Sequence, residues 1–211
     1  MASPLSVDSF DTFDTFDTID PAQMSRAENY KLLTGSVIPR PIAFVTTLNS
    51  NGTVNAAPFS QFIIISTQPG MLAFSSGEGK WGTKDTVVNA RRTGEFVIST
   101  VPEAMAQVVQ DCAQELPRNM SEVDLFGIAL VASETVETPR IAASDVQFEC
   151  SLERIVEFGD GPNSLVVGRV RRMHVRRGLL LDGGKIDHER YQPIGRIAGR
   201  RYCTFGRIID L

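Results

Sequence analysis

Ile42-Ala43-Phe44-Val45-Thr46-Thr47-Leu48, followed by Asn51-Gly52 and then by Thr53-Val54-Asn55-Ala56-Ala57, reads as two strands joined by a tight turn. β-Branched and aromatic side chains suit a pleated surface, and Asn-Gly between two such runs is a strong hairpin signal. The same chemistry recurs at Phe62 to Ser66, Met71 to Ser75 and Glu95 to Thr100, each stretch bounded by Pro or Gly. Farther on, Val146, Phe148, Cys150 and Leu152 alternate with Gln147, Glu149, Ser151 and Glu153, the pattern of a strand with one wet face. Residues 159–163, Gly-Asp-Gly-Pro-Asn, predict a turn, and Leu165 to Val175 the returning strand. Helices are expected at Thr83 to Arg92, at Pro102 to Glu115 and from Pro21 or Ser25 to Gly35; the second carries Met105, Val108, Val109 and Cys112 on one stripe. About six to seven short strands with inserted, peripheral helices predict a mainly β fold, β with inserted α, closed into an antiparallel Greek-key barrel because closure removes exposed strand edges. Strands and helices do not alternate, so a doubly wound parallel sheet is disfavoured.

The 211 residues suit one domain, taken as 21–211, preceded by an acidic N-terminal arm, 1–20. Residues 8–20 repeat an Asp-Thr-Phe-like triplet, a period that matches neither strand nor helix. Such an arm is either solvated or docks its phenylalanines on a partner subunit. A formal net charge of −4 argues against nucleic acid and anionic membrane as partners, since phosphate contacts need a basic excess. Cys112, Cys150 and Cys203 are odd in number and far apart, which fits free thiols in a reducing, cytoplasmic compartment better than disulfides. Neither His174 nor His188 has a ligand-spaced companion, so no metal site is expected.

Protein-borne catalysis finds little support. No G-x-G-x-x-G follows a strand, and no G-x-S-x-G elbow or H-E-x-x-H is present. Gly77-Glu78-Gly79-Lys80-Trp81 puts Trp where a nucleotide loop needs Ser or Thr. If the chain is an enzyme, a cofactor carries the chemistry and no side chain is assigned as catalytic. The informative stretch is Ser75-Ser76-Gly77-Glu78-Gly79-Lys80-Trp81-Gly82-Thr83-Lys84-Asp85-Thr86. A strand ends in hydroxyls, a glycine-rich loop follows, and a helix opens beside a lysine, which together offer an anion amides, a favourable dipole and a cation. The plain alternative is that Thr83 or Asp85 caps the helix and Lys84 is solvated.

A second set of motifs bears on that choice. Residues 30–47, with Pro39-Arg40-Pro41 and Thr46-Thr47, then Asn51-Gly52, then Asn55-Ala56-Ala57-Pro58-Phe59-Ser60, then Lys84-Asp85-Thr86, and late in the chain Tyr191-Gln192-Pro193-Ile194-Gly195-Arg196, closely resemble the flavin reductase-like family of FMN-binding split barrels over about residues 25–205. The resemblance implies FMN as cofactor, NADH or NADPH as co-substrate, and a homodimer that passes a hydride to free flavin, on occasion for a monooxygenase component, or to a small organic molecule such as a nitroaromatic. A flavin-binding electron carrier of the same fold is the remaining reading. It further implies a phosphate site at Ser75, Lys84 and Thr86 with Arg40 as a further cation, and a ring edge against Thr46, Thr47, Asn55, Ala56, Ala57 and Ser60. Some relatives carry a histidine before the second strand of the late hairpin; here the turn reads Gly161-Pro162-Asn163-Ser164, which leaves the choice of nicotinamide open.

Trp81 and His174 are the candidates on the substrate side. Trp81 is either core or a shield for the ring, and His174 either structural or a proton donor. The run Arg169 to Arg177 is either a solvated, ion-paired strand face or a cationic wall for a negatively charged substrate.

Overall fold

The computed structural model describes residues 16–118, 120–161 and 163–211. Most of the acidic arm, and with it the question of where its phenylalanines go, lies outside them. A capping box opens the first helix: Ser25 accepts from the Glu28 amide and the Glu28 carboxylate accepts from Ser25, so α1 runs Arg26–Ser36. The strands then follow in the expected places, β1 (Ala43–Leu48), β2 (Val54–Phe59), β3 (Phe62–Thr67), β4 (Gly70–Ser76), β5 (Glu95–Ser99), and beyond a short two-stranded ribbon of β6 (Leu130–Val131) and β7 (Arg140–Ile141), the long pair β8 (Val146–Phe158) and β9 (Asn163–Val175). Helices α2 (Asp85–Thr93), α3 (Ala106–Asp111) and α4 (Glu122–Phe126) are inserted between them, and a small ribbon of β10 (Gly195–Arg196) and β11 (Tyr202–Cys203) closes the chain.

Seven strands form one antiparallel sheet in the order β2-β1-β5-β8-β9-β4-β3. Its two edges, β2 and β3, are consecutive in the chain but not hydrogen-bonded neighbours, and that gap splits the barrel. Pro58 sits in β2 opposite Phe44, where an edge strand tolerates the missing N–H. Alternation along the strands separates two cores. Ala43, Val45, Phe59, Phe74, Phe96, Ile98 and Val166 fill the barrel, with Val87 and Ala90 of α2 closing it. Ile42, Phe44, Ala56, Ile141 and Ile194 face the other way, against Met105, Val109 and Cys112 from the α3 region and Val123 of α4. Gly168 marks the tightest crossing, for a Cβ there would lie 2.4 Å from the Phe96 ring. No helix among the described residues is long and apolar enough to cross a membrane.

The helix expected at Pro102 to Glu115 is a correction. A single 3-10 turn, Glu103–Met105, leads into α3, which stops at Asp111. Pro117 lies ahead, and Glu115 and Arg118 are drawn to the loop before α2, where they find better partners than the helix would give them. The arginine run also resolves: Arg169 pairs with Glu153 at 3.1 Å, Arg172 with Glu134 at 3.2 Å, and Arg176 with Asp145, so this face is ion-paired.

Candidate functional site

The loop between β4 and α2 forms its own framework. Gly79 and Gly82 exchange backbone bonds at 2.9 and 3.0 Å, with Gly82 at φ +86°, a conformation that side chains disfavour. Two side chains from the segment after α3 hold this loop down. The Glu115 carboxylate accepts from the Lys80 amide at 2.8 Å, while Arg118 donates to the carbonyls of Trp81 (2.6 Å) and Thr83 (3.1 Å) and to the Asp85 carboxylate (2.7 Å). Helix α2 opens at Lys84, which supplies no side-chain cap, so the start of the helix is left for another acceptor. The Lys84 ammonium rests 5.7 Å above the Phe59 ring.

These groups surround a cavity of about 110 Å³ whose walls include Asn55, Ala57, Gly79 to Thr86, Cys112 to Leu116 and Glu122. Behind its wall runs a buried polar chain. Asn55 donates to Thr86 Oγ1 (2.9 Å) and to Thr47 Oγ1 (3.2 Å), and Asn89 donates to Thr47 Oγ1 (3.1 Å) and Asn49 Oδ1 (2.8 Å). Thr86 thus receives a bond from below and is itself part of the cavity wall. Glu122 enters the same wall, nine-tenths buried, and accepts from the Ala56 amide at 3.0 Å. Burial pushes its carboxyl above the ordinary range, against the pull of that hydrogen bond. Burial likewise lifts the Cys112 thiol to about 12, which keeps it neutral.

The sequence-derived residues therefore divide. Asn55, Ala57, Lys84, Thr86 and Trp81 meet at this cavity. Thr47 stands one bond behind it, and Ala56 has its amide taken by Glu122. Thr46 turns to the outer side and donates to the Pro139 carbonyl at 2.7 Å. Ser75 lies in β4 one residue before its end and outside the lining, its amide bonded to the Gln61 carbonyl. Arg40 is on a different cavity, where it donates to the Ser60 hydroxyl and to the carbonyls of Val37 and Thr34, closing the end of α1. Trp81 is half exposed, with Lys80 stacked 5.1 Å from its ring, so of the two readings the core is ruled out. His174 reaches neither cavity, because its imidazole donates to the fully buried Glu149 at 2.6 Å. Glu115, Arg118, Asn89 and Glu122 are the residues that sequence reasoning missed; Ser121-Glu122 ahead of Val123 was legible as a helix start, but nothing local shows which strand that carboxylate meets.

A donor set of this kind, an uncapped helix start with a lysine, a hydroxyl and a glycine loop, suits the phosphate of a ligand whose flat portion lies along small residues of an adjoining strand. A split barrel with such a pocket defines a class of flavin-handling proteins. Residues 34–193 match the flavin reductase like domain, and the chain belongs to that family. It is 40% identical to the uncharacterised protein BH2278 of Halalkalibacterium halodurans over 90% of this chain and 93% of the relative. The solved structure of nitrilotriacetate monooxygenase component B from Bacillus cereus superposes with a TM-score of 0.89 at 36% identity, covering 94% of this chain and all of that one. That of the Pseudomonas fluorescens 2-nitrobenzoate 2-nitroreductase NbaA does so at 0.84 and 32%, covering 92% and 95%. The chain is accordingly a flavin-related oxidoreductase of the split-barrel fold.

Proposed function

We propose that the chain binds FMN with its phosphate at the start of α2 and passes a hydride from NADH or NADPH to a second acceptor, free flavin or a small organic molecule. The observation that carries the reading is the convergence of the uncapped helix, Lys84 and the Thr86 hydroxyl on one cavity. When bound, FMN supplies the two-electron chemistry. The chain's own residues bind and orient. Lys84 and Thr86 hold the phosphate, Gly79 and Gly82 let backbone come close, and Asn55 and Ala57 offer a small-residue wall for the ring. Thr47, Asn89 and Glu122 keep that wall in place, and Glu115 and Arg118 keep the loop over it. No side chain is required as nucleophile, and Trp81, half exposed on the same wall, covers the substrate side.

The component B likeness supports free flavin as acceptor, supplied to a monooxygenase component; the NbaA likeness supports a nitroaromatic as the second reading. We also infer a homodimer, because α1 buries none of its residues and leaves Tyr30 and Leu33 in water, and a cytoplasmic setting, in keeping with three free thiols. Stopped-flow mixing of the FMN-loaded protein with each nicotinamide tests the activity. Bleaching of the flavin band followed by reoxidation with free FMN supports the first reading; reoxidation only by a nitroarene supports the second. A band that neither nicotinamide bleaches overturns both in favour of an electron carrier.

A further inference from the structure

A second cavity, of about 650 Å³, shares no lining residue with the first. Phe62, Ile64, Met71, Leu72, Phe148 and Val170 make its walls apolar. One cation interrupts them. Arg40 lines the cavity with only 7% of its surface exposed. Its Nε donates to Ser60 Oγ at 3.2 Å and its Nη1 to the Val37 carbonyl at 2.8 Å and the Thr34 carbonyl. Every one of those acceptors is neutral, and its Nη2 is bonded to nothing among the described residues. The titratable groups that bear on it are the Tyr30 phenol and a second cation, Arg196, whose own bonds go to Gln110, Tyr202 and the Gly199 carbonyl.

A guanidinium drawn out of water with no carboxylate beside it is costly, and is expected only where something else brings the negative charge. An apolar cavity of this size with a single placed cation is the form of a site for an amphipathic small molecule. We propose that this cavity is a second small-molecule site, for an organic carboxylate with a flat apolar body, whose head group meets Arg40 Nη2 and whose body lies between Phe62, Leu72 and Phe148. The inference goes beyond the flavin reading and does not rest on it, since it concerns other residues and is tested without flavin.

Calorimetry on the flavin-free protein with 2-naphthoate and its methyl ester as probes tests it. The acid is expected to bind at least about tenfold more tightly than the ester, as a charge-assisted contact should give, and saturating FMN should leave its affinity unchanged. Arg40→Met should erase the difference between acid and ester. Because Arg40 also holds the end of α1, Met173→Trp serves as the independent variant: Met173 is half exposed at the rim, and filling the rim should abolish binding of both probes while FMN titration stays normal. Equal affinity for acid and ester, displacement of naphthoate by FMN, or unaltered binding in Met173→Trp would each overturn the proposal. So would sedimentation showing that naphthoate splits a dimer, which would assign the cavity to a second copy of the chain.

Discussion

Replacing Glu149 by Gln removes one formal charge and one acceptor from the most completely buried carboxylate among the described residues. Its Oε1 accepts from the Glu134 amide (2.8 Å) and His174 (2.6 Å), and its Oε2 from the amide and hydroxyl of Thr135 (both 2.6 Å), with Arg140 at 3.6 Å. Burial alone would raise this carboxyl, but the hydrogen bonds of Thr135, Glu134 and His174 outweigh it and hold it down from 4.5 to about 2. At about 1.4 kcal/mol per tenfold in proton affinity, that depression stabilises the folded chain by about 3 kcal/mol at neutral pH. The contribution is present above the unfolded value of 4.5 and is lost as pH falls toward 2. In the Gln variant a carboxamide NH₂ faces N–H or O–H donors, so a similar sum is lost at every pH. Urea unfolding of both proteins from pH 7 down to pH 3 reads the effect as a difference, in which the other carboxylates cancel. The gap should be about 3 kcal/mol at pH 7 and shrink below pH 4.5. A gap under about 1 kcal/mol, or one that does not change with pH, would refute the reasoning.

Gly168→Ala drives a methyl into the Phe96 ring across the barrel and should destabilise by about 1–3 kcal/mol or more in the same unfolding assay, with no change in nicotinamide preference. For Glu122, whose folded carboxyl is raised by burial, the sign is opposite to that of Glu149: its stability contribution is present below the unfolded value and is lost as pH rises through the folded one. Glu122→Gln keeps an oxygen for the Ala56 amide, so it should gain on the parent protein as pH rises from 4 to 7 in thermal melts, and a loss across that range would contradict the assignment. Arg118→Ala releases the loop carbonyls of Trp81 and Thr83 at a partly exposed site; FMN affinity should fall by about threefold to tenfold while unfolding changes by less than about 1 kcal/mol.

Most of the sheet was legible because β-branched runs, Asn51-Gly52 and the alternation at 146–153 are local signals, and local signals suffice where strands are joined by short turns. The helix at 102–115 was misjudged in length for the opposite reason. Its apolar stripe is real through Cys112, but its end is decided by bonds from Glu115 and Arg118 to a loop thirty-odd residues earlier, and no window of sequence contains both partners. The same limit divides the site. Lys84 and Thr86 announce themselves as a helix start after glycines, whereas the roles of Arg40, which precedes β1, and of Thr46 within it depend on what packs against each, the Thr34 and Val37 carbonyls at the end of α1 in one case and the Pro139 carbonyl in the other. His174 carried no local mark of its partner, since Glu149 is paired to it only through the register of β8 against β9.

The central claim is that the start of α2 holds the phosphate of a flavin. Trp81, the one tryptophan of the chain, lies in the wall of that cavity, so quenching of its fluorescence reports occupancy directly. Titrating the flavin-free protein with FMN and with riboflavin, which lacks the phosphate, should give saturable quenching with FMN tighter by about tenfold to a hundredfold, and Lys84→Ala should remove most of that advantage. Equal affinity for the two flavins in the parent protein, or an advantage for FMN that survives Lys84→Ala unchanged, would contradict it.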